Sequence, residues 1–299
     1  MAPSPSDAWI RSIDATYALF ERPENREAYP ALAAKVESAV RIIEAALSEF
    51  RYVHDSCSVE RCALSFNGGK DCTVLAHILA AVLRRHTNAG AHELLRLEAL
   101  YVACSSPFQE VEEFIAYAAS PETGYNMSLH TEQGSMKEAL ARYLDGAPGK
   151  PLAPGPGRTE IATRPAPSEP PHAPHDVRAM FIGIRRRDPH GSSLEVRAPC
   201  DPGWPPIMRV HPILDWDYDE IWAFLRCPVL GTPPAPAPSC VGGGGAHGVP
   251  YCALYDQGYT SLGSTYNTRP NPCLAIEGTD RFCPAYKLRD CASERAGRG

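Results

Sequence analysis

One junction restricts this sequence more than any other feature. Cys62-Ala63-Leu64-Ser65-Phe66 has buried-strand character, runs straight into Asn67-Gly68-Gly69-Lys70-Asp71, and is followed by an apolar segment carrying Val74, Leu75, Ile78, Leu79 and Val82. A strand that passes into a helix through paired glycines belongs to a strand–helix–strand unit, because parallel strands need a long crossover. The same rhythm continues downstream. A strand at 97–104 leads through Ser105-Ser106-Pro107 into a helix at 108–118. A third near 127–130 leads through Gly134-Ser135-Met136-Lys137 into a helix ending near Leu144, and a fourth covers 179–184. The alternation predicts an α/β fold, a Rossmann-like parallel sheet with helices on both faces. An N-terminal helical region (helices at 7–20 and 30–54) precedes it, the second helix placing Leu32, Val36, Ala39, Ile43, Leu47 and Phe50 on one stripe. The stretch 199–212 reads as irregular, 218–226 as a helix, and the C-terminal segment as irregular.

Composition separates core from insertions. The chain of 299 residues holds 30 prolines, and nine of them fall in 146–176 and six in 228–250. Neither stretch has apolar periodicity, so both read as inserts into an ordinary globular chain. The expected organisation is a single domain over 1–299: N-terminal helices in 1–57, an α/β core in 58–227 interrupted by the insert 146–175, a Pro/Gly-rich insert 228–248, and a C-terminal segment 249–299. A net charge of −6 argues against a phosphate-tracking nucleic-acid binder. Eleven cysteines without a C-x-x-C pair support neither a zinc site nor a disulfide framework. No apolar run reaches the ~18 residues of a membrane span. Asp7, Asp14 and Glu21 are wrong for a targeting leader, so a cytoplasmic protein without a membrane partner is expected.

The junction is also the sharpest chemical signal. Paired glycines let several backbone N–H groups converge, the helix starting near Lys70 adds its positive end, and the lysine adds a full charge, so phosphate is the natural guest. Asp71 would repel that guest unless a cation such as Mg2+ lies between them, or unless it caps the helix. The loop is not a Walker loop, since G-x-x-x-x-G-K-[ST] does not fit. Arg185-Arg186-Arg187-Asp188-Pro189 follows a strand, where arginine forks suit phosphate and the carboxylate suits a metal or a ribose hydroxyl. A solvated basic loop would account for one or two of those arginines. Trp204 alone would read as core packing, and Arg295 and Arg298 alone as a frayed basic tail. No G-x-S-x-G elbow or Cys/His pairing is present, which fits phosphoryl or nucleotidyl transfer.

The segment from Ser65 to Asp71 resembles the modified phosphate loop, of S-x-G-G-K-D-S type, of ATP pyrophosphatase and phosphoadenylylsulfate reductase-like proteins, whose fold is adenine nucleotide alpha hydrolase-like. Cys72 stands where that loop usually ends in serine. Further stretches resemble the eukaryotic FAD synthase family of FMN adenylyltransferase type. They are Gly134-Ser135-Met136-Lys137-Glu138-Ala139-Leu140, Ile182-Gly183-Ile184-Arg185-Arg186-Arg187-Asp188-Pro189, Asp201-Pro202-Gly203-Trp204-Pro205 with Met208-Arg209-Val210-His211-Pro212, Pro250-Tyr251-Cys252 through Gly263, and the tail Glu294-Arg295-Ala296-Gly297-Arg298.

The resemblance implies transfer of AMP from Mg-ATP to FMN, giving FAD and pyrophosphate, with small molecules as partners and handover of FAD to apo-flavoproteins. It implies an ATP site of Ser65, Phe66, Asn67, Gly68, Gly69, Lys70, Asp71, Gly183 and Arg185. It also implies a flavin site of Asp201, Trp204 and Arg209, Mg2+ near Asp71 and Asp188, and catalytic roles for Asn67, Asp71, Asp188, Arg295 and Arg298. Two alternatives remain open: a phosphoadenylylsulfate reductase-like enzyme, which needs a reactive C-terminal cysteine such as Cys283 or Cys291, and a non-catalytic nucleotide- or flavin-binding protein.

Overall fold

The computed structural model describes residues 7–50, 61–86, 93–146, 149, 176–231, 238–243 and 248–299. Nearly all of the first proline-rich insert, part of the second (232–237 and 244–247) and the end of the helix expected at 30–54 lie outside these residues. Helices α1 (Asp7–Glu21), α2 (Pro23–Ala28) and α3 (Pro30–Phe50) form the N-terminal region. The core then alternates β1 (Cys62–Ser65), α4 (Lys70–His86), β2 (Leu97–Ala103), α5 (Gln109–Ala119), β3 (Met127–Gln133), α6 (Met136–Leu144) and β4 (Ala179–Ile182). Two short strands, β5 (Arg197–Pro199) and β6 (Met208–Val210), precede α7 (Tyr218–Leu225).

The six strands form one sheet in the order β3-β2-β1-β4-β6-β5, parallel except where β5 pairs antiparallel with β6. The pleat sorts the core. Cys62, Leu64, Ala99, Tyr101 and Phe181 point into a large cluster built with α1, α3, α4, α5 and α7. Ala63, Leu100 and Met180 point the other way, into a smaller cluster closed by Leu140 and Tyr143 of α6. The sheet is therefore covered on both faces, as the alternation predicts. The stretch 199–212 is the correction: it contains β6 and the end of β5, and Pro199 is tolerated because β5 is an edge strand.

The C-terminal segment has only short 3-10 helices and isolated β-bridges. Trp222 of α7 makes edge contacts with Tyr251, Tyr255 and Tyr286, with ring centroids 5.1, 5.4 and 5.9 Å apart, and these fasten the segment to the core. The chain end is also pinned. Arg269 N donates to Gly297 O, Gly299 N donates to Asn267 O, and Arg298 bridges Thr268, so the alternative of a frayed tail, open when the two arginines are read alone, does not hold.

Candidate active site

The loop after β1 is shaped by local bonds. Phe66 N continues the ladder to Leu100 O, and its ring is buried in the core. Asn67 Oδ1 accepts the Gly69 N–H at 3.0 Å, and Gly68 has φ +70°, where a Cβ would stand 2.8 Å from Ile115 Cγ1. Only glycine fits there without strain. Lys70 N–H, the first amide of α4, donates to the Tyr255 hydroxyl at 2.9 Å. The Cys72 thiol lies 2.9 Å from Asn67 Oδ1 and 3.1 Å from Gly69 O, and burial pushes its pKa up to about 12. It therefore stiffens the loop as a neutral donor and offers no thiolate nucleophile.

A cavity of about 290 Å³ opens above this loop, at the carboxyl ends of β1, β2 and β4, where ligands bind in open parallel sheets. Of the residues marked by the sequence, Ser65, Asn67, Gly69, Lys70, Asp71, Gly183, Asp188 and Arg295 line it. Gly183 has a packing role as well: a Cβ there would lie 2.8 Å from Cys72 N, so glycine lets the end of β4 approach the first turn of α4. Arg295 comes within 3.5 Å of Ser261 Oγ across the cavity, and the Arg298 guanidinium lies against Gly263 behind it. Burial and the neighbouring Arg295 charge both lower the Arg298 pKa.

Beneath the cavity lies a buried ion cluster. Lys70 Nζ is 3.1 Å from Asp71 Oδ2 and 2.5 Å from Glu294 Oε1. Arg185 Nε is 2.6 Å from Asp71 Oδ1, and Arg185 Nη2 reaches Asp188 at 3.1 Å and Glu294 at 2.7 and 2.9 Å. The Arg185 side chain is only 1% exposed and is absent from the cavity lining. In place of phosphate, Nε and Nη2 of this fork face three carboxylates, while Nη1 has no hydrogen-bond partner among the described residues. Its two neighbours behave as a solvated basic loop, Arg186 pairing with Asp215 and Arg187 with Asp217 at the surface. Burial would raise the Asp71 pKa, but the Lys70 and Arg185 charges outweigh it and hold it below the ordinary carboxylate value. Burial raises Asp188, helped by the negative charges of Asp71 and Glu294 and opposed by Arg185.

Asp201 and Trp204 sit in the connection between β5 and β6, and none of Asp201, Trp204 and Arg209 lines the cavity. Arg209 Nη2 bonds Asp201 Oδ1 at 3.1 Å and Pro199 O at 2.9 Å. Trp204 packs against the smaller cluster alongside Val102 and Ile182, which also line the cavity, so the two regions share one wall. Glu294, Tyr255 and Ser261 were not singled out by sequence reasoning, although all three lie inside the quoted stretches. Of the cysteines considered for a reductase, Cys291 has its pKa raised by burial and by nearby Asp219, the opposite of an activated thiolate.

Residues 61–230 match the phosphoadenosine phosphosulfate reductase domain, which defines the class of this sheet and loop. A Schizosaccharomyces pombe protein named "Probable FAD synthase" is 34% identical over 249 residues, 83% of this chain and 75% of that one. A Caenorhabditis briggsae protein of the same name is 32% identical over 300 residues, 98% of this chain but 45% of that one. The chain thus spans less than half of the nematode relative. The crystal structure of Candida glabrata FMN adenylyltransferase superposes with a TM-score of 0.69 at 20% identity, over 98% of this chain and 96% of that one, a likeness of fold. Within the reductase-domain class, this chain belongs to the FAD synthase family.

Proposed function

We propose that the chain is an FMN adenylyltransferase. A phosphate oxygen of FMN attacks the α-phosphorus of ATP, a new O–P bond joins the nucleotides as FAD, and the bond to the β-phosphate breaks with its electron pair leaving on pyrophosphate. The observation that carries this reading is the meeting of the glycine-lysine loop and the C-terminal Arg295 across one cavity. Both reactants are anions, so the reaction needs alignment and neutralisation more than a covalent partner. Alignment alone is worth up to ~7–11 kcal/mol in favourable cases.

In this reading the loop of Asn67, Gly68 and Gly69 holds the ATP phosphates, the Gly69 N–H exchanging its bond to Asn67 Oδ1 for a phosphate oxygen. The Lys70 ammonium has three donors, two of them held by Asp71 and Glu294, which leaves one for a phosphate oxygen. Arg295 and Arg298 neutralise charge that develops on the transferred and leaving phosphates. Asp201, Trp204 and Arg209 take the flavin, the indole against the ring and Arg209 toward the flavin or its phosphate.

The donor set also suits Mg2+. No group of three or more His, Cys, Asp or Glu side chains among the described residues forms a metal cage. Asp71 and Asp188 both line the cavity, and one or two carboxylates plus substrate phosphates is the usual way a protein holds Mg2+. The ion would screen the phosphates from these two carboxylates. The Lys70–Glu294 contact, joining the loop to the tail, supports the single-domain organisation over 1–299. No helix among the described residues is long and apolar enough to cross a membrane. Handover of FAD to apo-flavoproteins in the cytoplasm belongs to the same proposal and rests on the resemblance alone. The test incubates the full chain with ATP, Mg2+ and FMN. FAD and pyrophosphate are expected in equal amounts, and absence of both overturns the reading.

A further inference from the structure

Glu294 has no part in the reaction as proposed above, yet it holds the closest contact in the ion cluster. Its side chain is 10% exposed, one oxygen bridges Lys70 Nζ and Arg185 Nη2, and the other bonds Arg185 Nη2 at 2.9 Å. Its backbone is fixed independently of those cations. Thr260 Oγ1 donates to Glu294 O at 2.6 Å, and Asn271 Nδ2 donates both to Thr260 Oγ1 and to Ser293 O. The carboxylate is therefore held on the two cations from behind.

The cluster sets two cations, Lys70 and Arg185, against three carboxylates, Asp71, Asp188 and Glu294. Asp71 and Asp188 suffice to balance Lys70 and Arg185. The third carboxylate leaves the floor of a phosphate site with an excess negative charge in a setting shielded from water, where charges act strongly on one another. Such a group weakens phosphate binding, and an enzyme gains nothing by holding its leaving anion too tightly, since product release limits many turnovers.

We infer that Glu294 is a positioning residue that holds the Lys70 ammonium in place and offsets the Lys70 and Arg185 charges, so that the site grips the triphosphate without trapping pyrophosphate. The inference rests on the adenylyltransferase reading for the identity of the anion. Removing the Glu294 charge tightens pyrophosphate and slows turnover, whereas loss of a merely structural contact would loosen every ligand.

Binding of inorganic pyrophosphate to the full chain in Mg2+, followed by calorimetry, tests this directly. Glu294→Gln keeps the shape and leaves two cations balanced by two carboxylates. It is expected to bind pyrophosphate about tenfold more tightly. In the FAD assay its kcat and its KM for ATP should both fall, with KM for FMN within twofold of wild type. Unchanged or weaker pyrophosphate binding overturns the inference, as does an equal change in KM for both substrates. Should Glu294→Gln not purify folded, Glu294→Asp decides. It draws the carboxylate back by one methylene, so a smaller tightening of the same sign is expected, and unchanged or weaker binding overturns the claim. Wild type that binds pyrophosphate but makes no FAD would overturn the reaction and not the role of Glu294, which the binding ratio settles alone.

Discussion

Arginine and carboxylate meet in two parts of this molecule, under opposite conditions. Around Arg185 the side chain is 1% exposed and faces three carboxylates, while Arg209 faces one carboxylate, Asp201, whose side chain is 65% exposed. The same pair of functional groups becomes framework in the first place and an available contact in the second. Burial decides the difference. A charge out of water must be matched by neighbouring charges, so most of its contacts are committed before any ligand arrives. A charge at the surface gives up little when it changes partner.

The largest effect expected from this contrast is on folding. Arg185→Met would leave Asp71, Asp188 and Glu294 with only Lys70 among them. Breaking a buried ion group by removing one partner costs about 3–5 kcal/mol. A urea unfolding midpoint close to wild type would show that the cluster relaxes into water and would erase the contrast. Within the same cluster, Asp71→Asn separates chemistry from framework, because the amide keeps the size of the side chain and one acceptor for Arg185. FAD formation is expected to fall by at least ~100-fold, the scale of losing one oriented charge at a reacting phosphate. Near-normal rates would refute a role for Asp71 toward metal or phosphate.

How far these two regions could be read from the sequence follows the same physics. The loop 65–71, its strand and α4 were legible because glycine pairing, strand character and helical periodicity are all local signals. Asp188 followed from its place after a strand, and Gly183 from the family resemblance alone. What was not legible depends on distant partners. Glu294 lies 224 positions from Lys70, and only the folded tail brings them together. The inward turn of Arg185 depends on the same contact, while Arg186 and Arg187 beside it stay at the surface. Strands β5 and β6 were missed because three residues in a proline-rich stretch carry no periodicity of their own. Their pairing comes from β4, with which β6 continues the sheet. Helix α2 was missed for a related reason: its six residues bury no side chain that could form a stripe.

On the surface side of the contrast, Trp204→Ala should act on FMN and not on ATP. The indole packs against the same small cluster as Val102 and Ile182, which line the nucleotide cavity, and losing an aromatic plate against a flavin ring is expected to raise KM for FMN about tenfold. Equal rises for both substrates would make Trp204 part of the wall alone.

The smallest effect on folding, and the one that most directly measures the contrast, belongs to Asp201→Asn. The Asp201 carboxylate is mostly in water, and Arg209 keeps its second bond, to Pro199 O at 2.9 Å, when the charge is removed. An exposed pair of this kind contributes about 0–1 kcal/mol, so the unfolding free energy should move by no more than about 0.5 kcal/mol. The KM for FMN should still rise several-fold, because a carboxylate that accepts from the flavin ring N–H does so more strongly than an amide oxygen. Measuring both on one preparation gives two numbers that must diverge. If stability falls and KM for FMN stays constant, the Asp201–Arg209 pair is framework like the Arg185 cluster, and exposure would not be what distinguishes a contact held for a ligand from one already committed to the fold.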